Sequence, residues 1–153
     1  MDLILWRHAE AEDAPPGGDD LARALTRRGE KQAQRMAAWL KPHLPAGTRI
    51  LCSPALRCRQ TADALQLAFR TEKPLSTGSD PEQVLQAAGW PDAKHAVLVV
   101  GHQPTLGETV ARLLGLATQE CAVRKAGVWW LRTTVEKDGE RTTVVAVQSP
   151  DTL

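Results

Sequence analysis

Two arginines and two histidines stand where apolar segments of the sequence end or where helices begin. Arg7 and His8 directly follow the apolar run at residues 3–6, and His102 follows another apolar run after a single glycine. Arg57 lies about one helical turn beyond a third apolar segment. A guanidinium group binds phosphate oxygens through paired N–H donors, and an imidazole donates, accepts or attacks according to its protonation. These four side chains therefore predict a pocket for an oxyanion.

Three buried strands are predicted to bring these side chains to one edge of a sheet. They cover residues 3–6, 49–52 and 96–100, of which the last is uniformly apolar and rich in β-branched residues. The second and third strands are followed by helix starts around Pro54 and Pro104. Helix amino termini favour anions, and ligands of open α/β sheets bind beyond the carboxyl ends of the strands. The pocket is therefore expected at that edge.

The remaining segments predict helices on both faces of the sheet. Residues 9–20 form a loop that is rich in acidic residues, proline and glycine, and residues 128–134 and 142–148 predict a β-hairpin. Helices are expected from the cap Thr26 to Pro42, from the cap Ser53 with Pro54 at the first position to about Phe69, from the cap Asp80 with Pro81 at the first position, and over residues 106–114 before Gly115. This order predicts an α/β fold, a three-layer α/β/α sandwich with a mostly parallel central sheet and an antiparallel addition from the C-terminal hairpin.

The composition restricts the class of protein and of partner. A chain of 153 residues suits one compact domain, and residues 1–153 are expected to form it. The 19 Lys and Arg residues balance 18 Asp and Glu residues, so the net charge of +1 gives no general attraction for nucleic acid or an anionic membrane. No apolar segment approaches the ~20 residues of a membrane span. The three cysteines lack a paired spacing and are expected to be reduced thiols, in a cytoplasmic protein.

Five motifs occur in a specific order along the chain. They are Arg7-His8 after a strand, Arg23-Ala24-Leu25-Thr26-x-x-Gly29, Ser53-Pro54-x-x-Arg57-x-x-Gln60-Thr61, Val99-Val100-Gly101-His102-Gln103-Pro104, and Lys125-Ala126-Gly127. Together they resemble the histidine phosphatase (phosphoglycerate mutase-like) superfamily, and the resemblance covers nearly the whole chain. The short length and the motifs at Arg23 and Lys125 most resemble the SixA-type phosphohistidine phosphatases.

The resemblance implies a role for each residue of the predicted pocket. His8 is implied to be the nucleophile, which attacks phosphorus as a neutral imidazole and forms a covalent phosphohistidine. Arg7 and Arg57 would hold the phosphoryl oxygens and discourage protonation of His8. His102, if cationic, would donate a further hydrogen bond. The expected substrate-binding residues are Arg7, Arg57, His102, Arg23 and Lys125. This chemistry needs no metal or cofactor, and none is expected.

The chain departs from the superfamily pattern in two ways. Ala9 follows His8 where the common motif has glycine, which concerns the local backbone more than the activity. Superfamily members that act on phosphate esters use a carboxylate from the middle of the chain as proton donor, and no convincing equivalent is found. Asp80 and Glu82 are interpreted as the cap and the first-turn acid of a helix. The loop acids that could approach the pocket instead are Glu10, Glu12 and Asp13.

The missing acid favours phosphohistidine as the substrate. General acid catalysis contributes about 10²–10⁴-fold where an alkoxide must leave, whereas the imidazole of a phosphoramidate leaves readily once solvent protonates it. The expected function is hydrolysis of phosphohistidine on the transfer domain of a phosphorelay or phosphotransfer protein, with phosphate as product. Two alternatives stay open: a small phosphomonoesterase of the same superfamily that acts on a sugar, nucleotide or cofactor phosphate, and a phosphate-binding module without turnover.

Overall fold

A six-stranded sheet forms the centre of the molecule in the computed structural model, which describes residues 1–153. The strands follow the spatial order β3-β2-β4-β1-β5-β6. Their bounds are β1 Asp2–Arg7, β2 Arg49–Cys52, β3 Arg70–Thr71, β4 Val97–Gly101, β5 Val128–Glu136 and β6 Gly139–Gln148. The strands β1 to β4 run parallel, whereas β5 is antiparallel to β1 and β6 is antiparallel to β5. The sheet is therefore mostly parallel, with the predicted antiparallel hairpin at one edge.

Four helices cover the two faces of this sheet. Their bounds are α1 Arg27–His43, α2 Leu56–Asp63, α3 Pro81–Ala88 and α4 Thr105–Leu114. Short 3₁₀ segments occupy Asp20–Ala22, Lys73–Leu75 and Pro150–Thr152. None of the helices is long and apolar enough to cross a membrane.

The central strand β1 is buried on both faces, because its alternate side chains enter two separate cores. Ile4 and Trp6 belong to one core together with Met36 of α1. Leu3 and Leu5 belong to the other core, which also contains residues of α3 and α4. The helices thus form a layer on each side of the sheet, and the predicted three-layer α/β/α sandwich is confirmed.

Several helix ends lie where the capping residues predict them. The Thr26 hydroxyl accepts a hydrogen bond from the amide of Gly29, and the Asp80 carboxylate accepts one from the amide of Gln83. Gly115 ends α4 with a φ of 63°, a left-handed conformation that costs glycine little. Helix α1 includes Pro42 in its last turn and ends one residue later, at His43.

The second helix differs from its prediction at both ends. Ser53 is not its cap, since α2 begins at Leu56 after a turn in which the Ser53 hydroxyl accepts a bond from the amide of Ala55. The helix ends at Asp63 rather than near Phe69, because the following residues tighten into i→i+3 bonds and Gln66 adopts a φ of 55°. The chain then forms β3, a two-residue strand that lacks any hydrophobic period and was not predicted. The hairpin strands are longer than predicted, with Lys137 and Asp138 between them.

Candidate active site

The carboxyl ends of β1, β4 and β2 lie side by side and place the predicted pocket residues next to each other. Arg7 pairs with Gly101 in the register of β1 and β4, and the His8 amide donates to the Gly101 carbonyl at 3.1 Å. The Ser53 amide donates to the Val100 carbonyl at 3.0 Å, so β2 ends at the same level. A cavity of about 300 Å³ opens there, lined by Arg7, His8, Ala11, Asp13, Arg23, Arg57, Thr77, Gly78, His102, Gln103 and Lys125.

This cavity has two parts, a floor and a rim. The floor consists of the four side chains that come from the strand ends and from the first turn of α2: Arg7, His8, Arg57 and His102. The rim consists of side chains from the surrounding loops: Asp13, Arg23, Thr77, Gln103 and Lys125.

The ring of His8 has a defined tautomer. Its Nδ1 lies 2.8 Å from the carbonyl oxygen of Ala9, and because a carbonyl only accepts, Nδ1 carries the proton and donates. The neutral ring therefore keeps its lone pair on Nε2. Burial, with smaller contributions from His102 and from the positive charges of Arg57 and Arg7, lowers the pKa of His8 to about 3 against the opposing hydrogen bond to Ala9. Nε2 is consequently free to act as a nucleophile at neutral pH.

The segment after His8 is hydrogen-bonded to side chains of α1 and α2. The amide of Ala9 donates to the Thr61 hydroxyl at 3.1 Å, and the amide of Glu10 donates to the Gln32 side chain at 3.0 Å. A Cβ on Gly29 would lie 2.0 Å from the Glu10 carbonyl oxygen, so only glycine fits at this approach of α1 to the segment. Ala9 is fully buried without a positive φ, so its methyl group is accommodated where the superfamily commonly has glycine.

The two floor arginines are oriented by backbone carbonyls. Arg7 donates from Nη1 to the Val123 carbonyl at 2.8 Å, and burial lowers its pKa. Arg57, whose side chain is only 4% exposed, donates from Nη1 to the Asp20 carbonyl at 2.8 Å and from Nη2 to the Asp20 carboxylate at 3.1 Å. The Nε–H of each arginine is buried without a protein partner. Two such donors beside a free imidazole suit an anionic ligand, because buried donors normally find an acceptor.

The neutral ring of His102 has the opposite tautomer to that of His8. Its Nδ1 accepts from Arg57 Nη2 at 3.4 Å, so in the neutral ring Nε2 carries the proton and donates to the Ser53 hydroxyl at 2.7 Å. Its ring centroid lies 5.3 Å from that of His8. Burial, followed by the charge of Arg57, lowers the pKa of His102 to about 4. The lowered pKa favours a neutral ring in the ligand-free site, and a cationic His102 as donor to a bound phosphoryl group stays a prediction.

Arg23 and Lys125 both line the cavity at its rim, and their part in binding stays a prediction. Arg23 is held by two acceptors, the carbonyl of Glu12 at 2.7 Å and the carboxylate of Asp20 at 3.1 Å. Lys125 makes no ion pair and lies just before Ala126, whose amide donates to the carbonyl of His8 at 3.1 Å.

The candidate proton donors lie in different surroundings, and only some of them are near the cavity. Asp80 caps α3, and Glu82 pairs with Arg112 at 2.9 Å, outside the cavity, as their helix interpretation predicts. The Glu10 carboxylate accepts from the Thr26 hydroxyl at 2.8 Å. Asp13 is the carboxylate that lines the cavity. No group of three or more His, Cys, Asp or Glu side chains has the arrangement of a metal site.

Sequence reasoning missed two residues that contact the floor. Asp20 binds both Arg57 and Arg23, and the bond from Arg23, followed by the charge of Arg57, holds its pKa below the usual range. Its position three residues before Arg23 is the signal that could have identified it. Ser53, interpreted as a helix cap, instead holds the ring of His102. Its position directly after β2 could have indicated that role.

Comparisons with known proteins agree with this geometry. The sequence profile of the histidine phosphatase superfamily (branch 1) matches residues 3–78. The chain is 34% identical to the phosphohistidine phosphatase SixA homolog of Haemophilus influenzae over 131 residues, which cover 75% of this chain and 78% of that protein. It is 33% identical to the phosphohistidine phosphatase SixA of Escherichia coli over 122 residues, which cover 74% of each chain. The structure of the protein histidine phosphatase SixA complexed with tungstate superposes with a TM-score of 0.78 at 28% identity, covering 99% of this chain and 98% of the other.

Proposed function

The chain belongs to the histidine phosphatase superfamily as a relative of the SixA type, and from this premise we propose that it hydrolyses phosphohistidine on a phosphorelay or phosphotransfer protein. The membership makes it a phosphatase. We further propose that the phosphate group is that of a phosphohistidine and that it is transferred to His8 as a covalent intermediate. The observation that supports it most is the free Nε2 of a neutral His8 beside Arg7 and Arg57.

In the first step, the lone pair of His8 Nε2 attacks the phosphorus of the bound phosphohistidine. The new N–P bond forms as the bond to the substrate imidazole breaks, and that imidazole takes up a proton from solvent. The hydrogen bond from Nδ1 to the Ala9 carbonyl stabilises the positive charge that develops on the His8 ring. Arg7 and Arg57 bind the phosphoryl oxygens while the group is transferred. No proton has to be removed from His8, because its pKa of about 3 keeps it neutral.

In the second step, water attacks the phosphorus of phospho-His8. The N–P bond breaks, its electron pair returns to Nε2, and the water loses a proton to solvent as phosphate forms. The phosphoryl group itself raises the pKa of His102, because a nearby negative charge favours the imidazolium form. A protonated His102 carries a hydrogen on Nδ1, which donates to a phosphoryl oxygen once Arg57, whose Nη2 bonds this atom in the ligand-free site, has turned toward the phosphoryl group. This is the role expected for it from the sequence.

The names of the relatives support phosphohistidine as the substrate. Both SixA proteins that this chain resembles are named phosphohistidine phosphatases. The middle of the chain supplies no cavity carboxylate, since Glu82 is paired with Arg112. An imidazole can leave without a general acid in the site more readily than an alkoxide can.

A comparison of leaving groups tests the proposal. Phosphate release is measured from a phosphohistidine-bearing transfer domain and from several phosphate monoesters at equal concentrations, with wild-type protein and with His8→Ala. We expect the phosphohistidine to be consumed at least about 100-fold faster, in line with the magnitude of general acid catalysis. His8→Ala should abolish release. Preference for an ester would contradict the proposal, and phosphate binding without turnover would indicate a binding module.

Asp13 favours a second candidate, a small phosphomonoesterase of the same superfamily. Its carboxyl group lines the cavity and makes no hydrogen bond there, so once it has taken up a proton from solvent it is available to donate that proton to a leaving alkoxide. In that case Asp13→Asn would lower ester hydrolysis about 100-fold, while Glu82→Gln, which changes a carboxylate outside the cavity, would leave it unchanged. If phosphohistidine is the substrate, Asp13→Asn changes its hydrolysis less than about threefold.

Two further expectations from the sequence remain part of the proposal. Residues 1–153 form a single domain of this superfamily, and the protein acts in the cytoplasm in signal transduction. Cys52 and Cys58 are free and buried, and burial raises the pKa of Cys58 to about 12, which is compatible with a compartment that keeps thiols reduced.

A further inference from the structure

A second cavity lies next to the active site and shares a wall with it. It has a volume of about 280 Å³ and a mostly polar lining, which consists of Glu10, Arg28, Gln32, Arg124, Lys125, Pro150 and Asp151. Lys125 lines both cavities. A substrate that reaches His8 through the first cavity can therefore extend into the second one over the Lys125 side chain.

The charges of the second cavity are not balanced within it. Arg124 pairs with Asp151 at 3.3 Å, and the Glu10 carboxylate accepts from the Thr26 hydroxyl. Arg28 and Lys125 make no ion pair, and with Glu10 as the remaining carboxylate the lining keeps an excess of one positive charge.

Helix stability does not explain Arg28. The residue lies in the first turn of α1, at the helix end where aligned peptide dipoles give positive potential. A cation at this end is unfavourable relative to an acid. Arg28, Lys125 and the start of α1 consequently direct positive potential into the same cavity.

We propose that the second cavity binds an acidic side chain of the protein that carries the phosphohistidine, next to the phosphorylated residue. This inference rests on the proposed function and adds a contact that selects a protein substrate over a small phosphorylated molecule. A carboxylate that enters the cavity pairs with Arg28 and Lys125 while the phosphoryl group lies against the floor. Electrostatic complementarity of this kind raises the rate of encounter and fixes the orientation of the partner.

A charge reversal with a matched control tests this contact. Arg28→Glu is compared with Arg27→Glu, because Arg27 is the neighbouring exposed arginine of the same helical turn and does not line the cavity. Each variant is assayed with a phosphohistidine-bearing transfer domain and with phosphoramidate, a small N–P compound. We expect Arg28→Glu to lower kcat/KM for the protein about tenfold, mainly through KM, and to weaken the dependence on salt. Hydrolysis of phosphoramidate by Arg28→Glu, and both activities of Arg27→Glu, should stay within about twofold of wild type.

The possible outcomes separate the contact from the proposed function. Equal losses with both substrates would overturn the inference, because they would indicate a disturbed active site. Equal losses in both variants would also overturn it, in favour of a diffuse charge effect. Unchanged hydrolysis of the protein by Arg28→Glu would overturn the contact while the proposed function stands. Hydrolysis of neither substrate by wild-type protein would instead reject the proposed function. Arg28→Lys, which keeps the charge, should retain most of the activity on the protein.

Discussion

The floor and the rim of the active-site cavity differ in how their side chains are held. His8 and Arg7 are bonded to backbone carbonyls at the end of a buried strand, and Arg57 is almost completely enclosed. In the rim, Asp13 and Lys125 lie on exposed loops and make no ion pair, whereas Arg23 is bonded to Glu12 and Asp20. A catalytic group must be fixed to within fractions of an ångström, whereas loops tolerate change. We therefore expect phosphoryl chemistry at the floor and selection of the leaving group among the loosely held side chains of the rim.

The strongest test of this comparison is the replacement of Arg57. Arg57→Ala removes the enclosed guanidinium, and we expect kcat/KM to fall about 10²–10³-fold, the usual loss for a preorganised donor to a developing charge. Arg59→Ala serves as the control, because Arg59 is an exposed arginine of the same helix that bonds only the Pro54 carbonyl. Steady-state kinetics with a phosphohistidine substrate measures both, and circular dichroism verifies the fold.

Arg57→Lys sharpens the same test. It keeps the positive charge but loses the planar pair of donors, so it should recover only part of the activity. Losses below tenfold for Arg57→Ala, or equal losses for Arg59→Ala, would contradict the separation of floor and rim.

Asp20 pairs with Arg57 of the floor and with Arg23 of the rim. Its replacement tests whether it competes with phosphate for Arg57 or positions Arg57. Its carboxylate competes with a phosphoryl oxygen for Arg57, and it adds a negative charge close to a site for a dianion. Asp20→Asn should therefore tighten inhibition by inorganic phosphate about threefold to tenfold, since removal of a nearby charge is worth on the order of 1 kcal/mol. Asp19→Asn is the matched control, because it removes one charge from the neighbouring residue and retains a side chain able to cap Leu21. Weaker binding of phosphate by Asp20→Asn would show that Asp20 positions Arg57 instead.

The smallest expected effect is that of pH on the protonation of the two floor histidines in the ligand-free protein. With pKa values of about 3 and 4, His8 and His102 should be about a tenth protonated or less at pH 5. Their ring proton shifts in NMR spectra, assigned with His8→Ala and His102→Ala, should therefore hardly move between pH 5 and 8. Saturation with inorganic phosphate should raise the pKa of His102, because the bound anion favours the imidazolium form. A titration of either ring near 6.5 without phosphate would contradict the burial of the floor.

The same lowered pKa values affect stability in a defined direction. Below pH 6.5 the unfolded chain binds protons at these two histidines, whereas the folded chain does so only near pH 3 to 4. Acidification from about 6.5 toward 4 therefore favours the unfolded state, and the thermal midpoint of wild-type protein should fall more steeply over this range than that of His8→Ala.

The sequence predicted the parts of the fold in which local signals and burial agree. The strand ends at Arg7 and His102 follow apolar runs, and Thr26, Asp80 and Gly115 are strong capping or terminating residues. The short strand β3 could not be predicted, because it is determined by pairing with β2 and not by a sequence period. The early end of α2 lies in i→i+3 bonds and the positive φ of Gln66, which no local pattern indicates.

The four floor side chains lie together as their strand ends predict, but their protonation required the structure. No local pattern in the sequence indicates that His102 is enclosed beside Arg57, and it is burial and the charge of Arg57 that lower its pKa. The contacts of Asp20 and the position of Asp13 depend on the path of residues 9–20, where proline and glycine permit many conformations. The conformation of such a loop depends on contacts with residues distant in the sequence, so a local sequence pattern does not predict it.

His8 is bonded through its amide to Gly101 and through its carbonyl to Ala126, segments that are far from it in the sequence. During synthesis on a ribosome, His8 emerges before both of these neighbours. A nascent chain therefore carries His8 without its pocket until the segment before β5 has been released. With His8 as the proposed nucleophile, activity is tied to completion of the sheet, and truncated chains that end before residue 126 should be inert.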